Sequence, residues 1–165
     1  MPVTPDIQAP ARIAVIGNIN ADHVYRVHGA LGPGQESLAE DLGLRMGGSG
    51  ANSGSWLAVA GDDVRLYGIM GGDDRGRRIL AQVDAYPWDR SGTLLHDGPN
   101  NHCVILIDDS GDRTILGQKR SAATVAFPEL DLKALDAIYF AATTGTWLSA
   151  KSRAMLGDTV RAAAK

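Results

Sequence analysis

The sequence predicts an α/β fold in which helices cover the faces of a mainly parallel sheet. Two observations lead to this class. Short apolar, β-branched runs alternate with segments whose apolar residues recur at helical spacing, and glycine-rich turns separate them. The first run, residues 12–19, is nearly all apolar and stops at Gly-Asn, which is typical of a strand buried on both faces. A length of 165 residues suits one domain.

The other elements follow from the same periodicities. Further strands are predicted at residues 23–27, 37–46, 64–70, 103–107, 113–116 and 137–142. Helices are predicted at about residues 52–60, at 128–136 and at 149–165. Another helix has its apolar positions at Ile79, Leu80 and Val83 and a cap at Asp73 or Asp74. Gly61 ends the helix at 52–60, and residues 1–11 are expected to form a disordered or extended tail.

Two predicted strand pairs break the alternation of strands and helices. Residues 23–27 and 37–46 are joined by a Gly-Pro-Gly turn, and residues 103–107 and 113–116 flank an acidic turn. Such antiparallel pairs are expected to form a separate small sheet. Within 37–46 four apolar residues share one parity, which predicts one covered face: Leu38, Leu42, Leu44 and Met46.

The composition excludes several classes of partner. The formal net charge is −3, and a mildly acidic surface does not attract nucleic acid or an anionic membrane. No apolar run approaches the length of a membrane span. The single cysteine, Cys103, cannot form an internal disulfide, so a cytoplasmic location is expected. The four histidines have no common ligand spacing, so no metal site is predicted.

A glycine cluster, MGGSGANSG at residues 46–54, precedes the first predicted helix. It lacks the lysine of a phosphate-binding P-loop, and its glycines do not fit the dinucleotide pattern, which would also follow the first strand. What remains is a loop that offers backbone N–H groups and the Asn52 amide at a helix start. Such a loop suits a neutral, polyhydroxylated ligand. The alternative is a plain helix entry with Asn52 as its N-cap.

A second polar segment, residues 18–22, reads NINAD and follows the first strand. Ligands of parallel α/β sheets bind at the carboxyl ends of the strands. The Asp22 carboxylate can accept hydrogen bonds from adjacent hydroxyl groups there, and Asn20 adds another contact. The alternative is that Asp22 closes an Asx-turn before the next strand.

Five motifs in order resemble the N-terminal half of a ribokinase-like (PfkB) carbohydrate kinase: GNINADHVYRV, GPGQE, MGGSGAN, GIMGGDDRGRRIL and VILIDDSGDRTIL. The resemblance implies a partial three-layer α/β/α sandwich over residues 12–165 with a small β-sheet lid. The lid segments would be about residues 22–46 and 100–117. The family transfers the γ-phosphoryl group of ATP to a hydroxyl of a sugar or nucleoside, and complete members use ATP and Mg²⁺.

Carried over by motif, the substrate-binding residues are Asn20, Asp22, Gly48, Ser49, Asn52 and Asn101. The family loop commonly reads GGKGAN, and Ser49 stands here in place of the lysine. Family members are about twice this long, and their second half carries a GAGD-type motif with the anion hole and the general base. The resemblance therefore implies that this chain has no catalytic residue and alone binds neither ATP nor Mg²⁺.

Two functional hypotheses remain. In the first, the chain is the substrate-binding portion of an ATP-dependent sugar or nucleoside kinase, catalytically incomplete by itself and able to form a homodimer through the lid. In the second, it is a non-enzymatic carbohydrate-binding or dimerisation module derived from such a kinase. In both, the predicted strand at residues 137–142 is expected to expose apolar surface and to favour oligomers.

Overall fold

The computed structural model describes residues 9–29, 31–118, 130–141 and 150–163. The elements are, in chain order, β1 (Arg12–Ile16), β2 (Asn20–His28), β3 (Leu38–Gly47), α1 (Ser49–Ala60), β4 (Asp63–Tyr67), β5 (Ile69–Gly71), α2 (Asp74–Asp84), β6 (Leu94–His96), β7 (His102–Ile107), β8 (Arg113–Gly117), a 3-10 turn (Leu132–Ala134), β9 (Ala137–Phe140) and α3 (Ala150–Ala163).

The central sheet has the strand order β4-β1-β9 and is parallel throughout, as predicted. Ile13 of β1 lies opposite Val64 on one side and Ala137 on the other. One face of this sheet packs in the larger apolar cluster with residues of α1 and α2, among them Ala58 and Ile79. That packing places both helices on the same side of the sheet.

The opposite face of the central sheet carries a second apolar cluster. Because side chains of a strand alternate between faces, Ala14 and Ile16 belong to this cluster, while Ile13 and Val15 belong to the first. Three partly buried residues, two before β9 in the sequence and one within it, pack against it: Leu130, Leu135 and Ile138. Burial on both faces explains the nearly continuous apolar sequence of β1.

A second sheet has the strand order β3-β2-β7-β8. The two predicted antiparallel pairs, β2–β3 and β7–β8, are present, and a parallel β2–β7 pairing joins them into one sheet. Only residues 17–19 separate β1 from β2. The chain therefore passes directly from the centre of the first sheet to the centre of the second.

The prediction of one covered face along β3 is wrong for Leu38, which is 78% exposed. A bulge interrupts the β2–β3 register: Val24 pairs with Gly43 and Tyr25 with Asp41, which leaves Leu42 as the extra residue. An extra residue inverts the alternation of side chains beyond it. For that reason Leu38 does not share the environment of Leu42, which is half-buried.

The predicted strand at residues 64–70 is divided in the structure. Gly68 separates β4 of the central sheet from β5, which pairs with β6 in a two-stranded parallel sheet. A Cβ at Gly68 would lie 2.6 Å from the Ile19 side chain, so the turn is crowded. The short strand β6 was not predicted, because it has only three residues and a mixed pattern.

The predicted helix at residues 128–136 is reduced, within the described residues, to the 3-10 turn. Asp131 caps this turn by accepting a hydrogen bond from the backbone N–H of Lys133 at 3.1 Å. The Asp136 carboxylate then accepts the backbone N–H of Arg12 at 2.9 Å and its guanidinium at 2.8 Å. These bonds fix the entry to β9 beside β1, and they hold the pKa of Asp136 well below its usual range.

The remaining predicted helices are present in the structure, but their ends differ from the prediction. α1 begins at Ser49, earlier than predicted, and ends at Gly61 with φ 105°. Asp73 caps α2 by accepting the Gly76 N–H at 3.0 Å. The ends of three predicted elements (Pro128, Ala142, Ser149) lie outside the described residues, as do residues 1–8 and 164–165. In the described part of the chain, no helix is long and apolar enough to cross a membrane.

We expect Gly50→Ala to lower the free energy of unfolding by roughly 2–3 kcal/mol, because its Cβ would lie 2.6 Å from Gly17 of the segment that follows β1. Alanine is normally the better helix former, so a loss would reverse the intrinsic propensity. The matched control is Gly117→Ala, whose Cβ would meet nothing within 4 Å. Urea unfolding of both variants tests this expectation, and equal stabilities would contradict it.

Candidate functional site

The glycine loop, residues 47–50, packs against the segment that links β1 to β2. A Cβ at Gly48 would lie 2.5 Å from the carbonyl oxygen of Asn18, and Gly48 adopts φ 92°, which disfavours other residues. A Cβ at Gly47 would overlap the Asp22 carboxylate. The close approach that these glycines permit is therefore between two parts of this chain.

The interpretation of Asn52 as the N-cap of α1 is wrong. Gly48 occupies the N-cap position, and no side chain caps the helix. Asn52 lies one turn further on, where its N–H donates to the Gly48 carbonyl at 2.9 Å. The packing of Gly48 and Gly50 against residues 17–20 starts the helix three residues earlier than the sequence suggested.

Asn20 and Asp22 lie at the start of β2, next to the carboxyl end of β1. Cys103 of β7 is paired with Asp22 in the ladder. The Asn20 side-chain N–H₂ donates to the Cys103 sulfur at 3.8 Å, and the Cys103 thiol hydrogen-bonds the Asp22 carboxylate. The sequence predicted two of these three residues. Cys103 was missed because nothing in the sequence fixes the register between β2 and β7.

Two oxygens of this cluster are buried without a donor. Within the described residues, no hydrogen-bond partner reaches Oδ1 of Asn20 or Oδ1 of Asp22. Burial raises the pKa of Asp22 above its ordinary value, and the hydrogen bond with Cys103 opposes the rise in part. Buried acceptors normally have hydrogen-bond partners, so each of these two oxygens could accept a hydrogen bond from a further donor.

Asn100 holds this region together and was not predicted. It is fully buried, and its Oδ1 accepts the Gly71 N–H at 2.8 Å. Its side-chain N–H₂ donates to the carbonyl oxygens of Asn101 at 2.8 Å and Ile19 at 3.4 Å. One amide therefore ties the end of β5 to the β1–β2 link. Asn100 and Asn101 are adjacent, and no local pattern indicates which of the two side chains faces inward.

The other predicted residues are only partly brought together. Ser49 is half-buried at the first position of α1, and half-buried Asn101 accepts the Ala21 N–H through its carbonyl at 2.8 Å. Asn52 is exposed. It lines a groove of about 360 Å³ on the outer side of α1, whose other lining residues are Ser55, Trp56, Val59 and Tyr86. Asn20 and Asp22 do not line this groove.

The acidic residues elsewhere have structural partners. No group of three metal-ligating side chains occurs in the residues that the structure describes. Burial acts to raise the pKa of Asp73, but hydrogen bonds from the Gly76 and Asn100 N–H groups and the nearby arginines lower it overall. Asp62, in the AGD sequence at residues 60–62, accepts the Ala11 N–H at 3.1 Å at the amino-terminal edge of the central sheet. That position is at the end of the strands opposite Asn20 and Asp22.

Residues 10–165 match the family model for pfkB family carbohydrate kinases, and the chain belongs to that family. Its fold is similar to a carbohydrate kinase from Agrobacterium tumefaciens (TM-score 0.70, 19% identity, 94% of this chain and 52% of that chain). It is also similar to a ribokinase from Cryptococcus neoformans var. grubii serotype A in complex with ADP (TM-score 0.66, 23% identity, 79% of this chain and 42% of that chain).

A third similar structure is the nucleoside kinase of Burkholderia thailandensis in complex with inosine (TM-score 0.55, 19% identity, 64% of this chain and 36% of that chain). These likenesses establish a ribokinase-like α/β fold. The chain spans about half or less of the length of each of these three solved structures.

We expect Asp22→Asn to raise Tm at pH 7 by about 2 °C, from relief of a buried charge on the order of 0.5–1 kcal/mol. Because the pKa of Asp22 is raised in the folded state, the ionised carboxylate destabilises the fold at neutral pH. Below the ordinary value of 3.8 both states are protonated, so the gain should shrink as the pH falls from 7 to 3.

The control for this prediction is Asp41→Asn. Hydrogen bonds from the Gly43 N–H and from His23 lower the pKa of Asp41, so this carboxylate stabilises the fold above pH 3.8 and ceases to do so as the pH falls through its folded value. Asp41→Asn should therefore lower Tm at pH 7. Thermal unfolding of both variants at several pH values measures the two effects, and equal signs would contradict the assignment for Asp22.

Proposed function

We propose that this chain binds a sugar or nucleoside at Asn20 and Asp22, as the substrate-binding portion of an ATP-dependent carbohydrate kinase. The observation that carries the proposal is the pair of buried acceptor oxygens, Oδ1 of Asn20 and Oδ1 of Asp22, for which no described residue supplies a donor. Membership of the pfkB family and the inosine-bound nucleoside kinase of similar fold support the same class of ligand.

Hydroxyl groups are the donors that fit these oxygens best. A sugar carries adjacent hydroxyls that can donate to two acceptors at once, and bonds to an ionised carboxylate are stronger than neutral ones. A phosphate group presents mainly acceptor oxygens at neutral pH, and its negative charge would be repelled by Asp22. Gly48 and Ser49 lie beside the cluster and are proposed to contact the same ligand, with Asn101 and Asn52 at its periphery.

Phosphoryl transfer is proposed to need residues outside this sequence. The transfer depends on positioned groups that stabilise the charge of the phosphoryl group. The sequence contains no GAGD motif, and its AGD at residues 60–62 belongs to a helix end away from Asn20. No lysine lies on the glycine loop, and no cluster of three or more metal-ligating side chains occurs among the described residues. We therefore propose that ATP and Mg²⁺ bind in the complete enzyme, with residues outside this sequence.

Calorimetric titration with ribose, fructose and adenosine tests the proposed site. At least one of the three should bind. Asp22→Ala should weaken binding at least tenfold, since a hydrogen bond to a charged group contributes about 1.5–3 kcal/mol, and Asn20→Ala should weaken it roughly two- to tenfold, since a neutral hydrogen bond contributes about 0.5–1.5 kcal/mol. Asp41→Asn, which removes a carboxylate from the exposed part of β3, is the control and should leave the affinity unchanged.

The absence of heat with all three ligands would contradict a sugar or nucleoside site. A parallel assay with ATP, Mg²⁺ and the bound ligand addresses the chemistry: the chain alone should release no ADP above background. ADP release would show that the chain is a complete catalyst. Binding without ADP release is the result expected both for the substrate-binding portion of a kinase and for a stand-alone binding module.

The second sheet is proposed to act as a lid and to pair with the same sheet of a second copy. Its outer strands expose apolar side chains, namely Leu38 of β3 (78%) and Ile115 and Leu116 of β8 (52% and 56%). Exposed apolar residues on edge strands favour association. Sedimentation velocity should show a dimer, which Leu116→Lys combined with Ile115→Thr should shift toward monomer. A monomer for the unaltered chain at micromolar concentration would contradict the proposal.

A further inference from the structure

We infer that Cys103 is a positioning residue of the proposed ligand site: its thiol links Asn20 and Asp22 in one hydrogen-bonded row and holds their unpartnered oxygens ready for the ligand. This inference rests on the proposed function. It adds a third residue, from a different strand pair, to the two that the sequence indicated.

The contact with Cys103 sets the orientation of the Asn20 amide. Its side chain is more than nine-tenths buried, at 8% exposure, and its N–H₂ group is directed at the Cys103 sulfur at 3.8 Å. A side-chain amide has one donor end and one acceptor end. With the donor end held by sulfur, Oδ1 is the end left without a partner. The sulfur thus decides which end of the amide a ligand would meet.

The Cys103 thiol has hydrogen-bond partners on both sides. A thiol can accept one hydrogen bond and donate another, and the Cys103 thiol accepts from Asn20 and bonds to the Asp22 carboxylate. The next four residues of β7, Val104 to Ile107, are apolar and offer no such group. A thiol is also neutral, so it orients Asp22 without neutralising the charge that ligand hydroxyls would use.

Modification of the Cys103 thiol would remove its hydrogen bond to Asp22. An alkylated or ionised sulfur has no hydrogen to donate to Asp22, and a negative sulfur would repel the carboxylate. Either change breaks the row and should weaken ligand binding. Because the sequence contains one cysteine, any thiol reagent acts at this position alone.

The first test needs no ligand. Iodoacetamide forms a carbon–sulfur bond with the thiolate and releases iodide, and intact mass spectrometry follows the rate against pH. Asp22→Asn removes the repelling charge and should move the midpoint of this profile to lower pH, with an increase in rate of about tenfold at pH 7. Asn20→Ala removes a donor to sulfur and should move the midpoint to higher pH. A merely loosened site would speed both reactions without moving either midpoint.

The second test uses whichever of ribose, fructose or adenosine binds. Cys103→Ser keeps a donor and an acceptor and should retain the affinity within about threefold, while Cys103→Val should lose about tenfold, equal to the 1.4 kcal/mol of one hydrogen bond. Saturating ligand should also slow alkylation of the unaltered chain. Val104→Ala, which loosens β7 at the next residue, is the control and should bind normally.

The outcomes separate the two proposals. Absence of binding by the unaltered chain would overturn the proposed function, whereas the alkylation profiles would still show whether the row exists. If ligand binds but Cys103→Val binds equally well, or if neither profile moves, Cys103 does not position the site.

Discussion

The packing of the glycine loop against the β1–β2 link determines where the polar residues of the candidate site meet. Gly50 approaches Gly17 so closely that a Cβ on either would overlap the backbone of the other. Gly48 meets Asn18 and Asn20 in the same way. This contact places the start of α1 beside the carboxyl end of β1, at the point where β2 departs for the second sheet. It therefore brings two polar stretches, separated by about 25 residues of sequence, into one cluster.

At the proposed site, the buried acceptors carry a cost in stability that hydrogen bonds from a bound ligand would offset. Burying an acceptor oxygen without a donor costs free energy. Asn20 and Asp22, two residues apart on β2, each bury one such oxygen. The same burial keeps water from competing with a ligand and strengthens each hydrogen bond that forms. The chemistry of the proposed site thus lies in unsatisfied side chains, and the glycines serve mainly to let the backbone segments meet.

Local patterns were sufficient for much of the fold. The apolar run of β1, the two hairpin pairs and the Asp73 cap each follow from residues close together in sequence. What failed depended on distant contacts: the break at Gly68 lies where the Ile19 side chain leaves no room for a Cβ, and the bulge at Leu42 inverts a strand pattern that looked regular. For the site, motifs indicated Asn20 and Asp22, while Asn100 and Cys103 depend on how β7 aligns with β2, which no single segment encodes.

The buried amide of Asn100 has a consequence for cooperativity. It is bonded at once to the end of β5 and to the link that precedes β2. Separating the second sheet from the rest of the domain would strip partners from a buried amide and a backbone N–H, at a cost on the order of 1–3 kcal/mol for each group. An opening of the second sheet that pulled Asn100 outward would therefore also break its hydrogen bonds with Gly71 and Ile19. Movements of the second sheet that leave this amide in place avoid that cost.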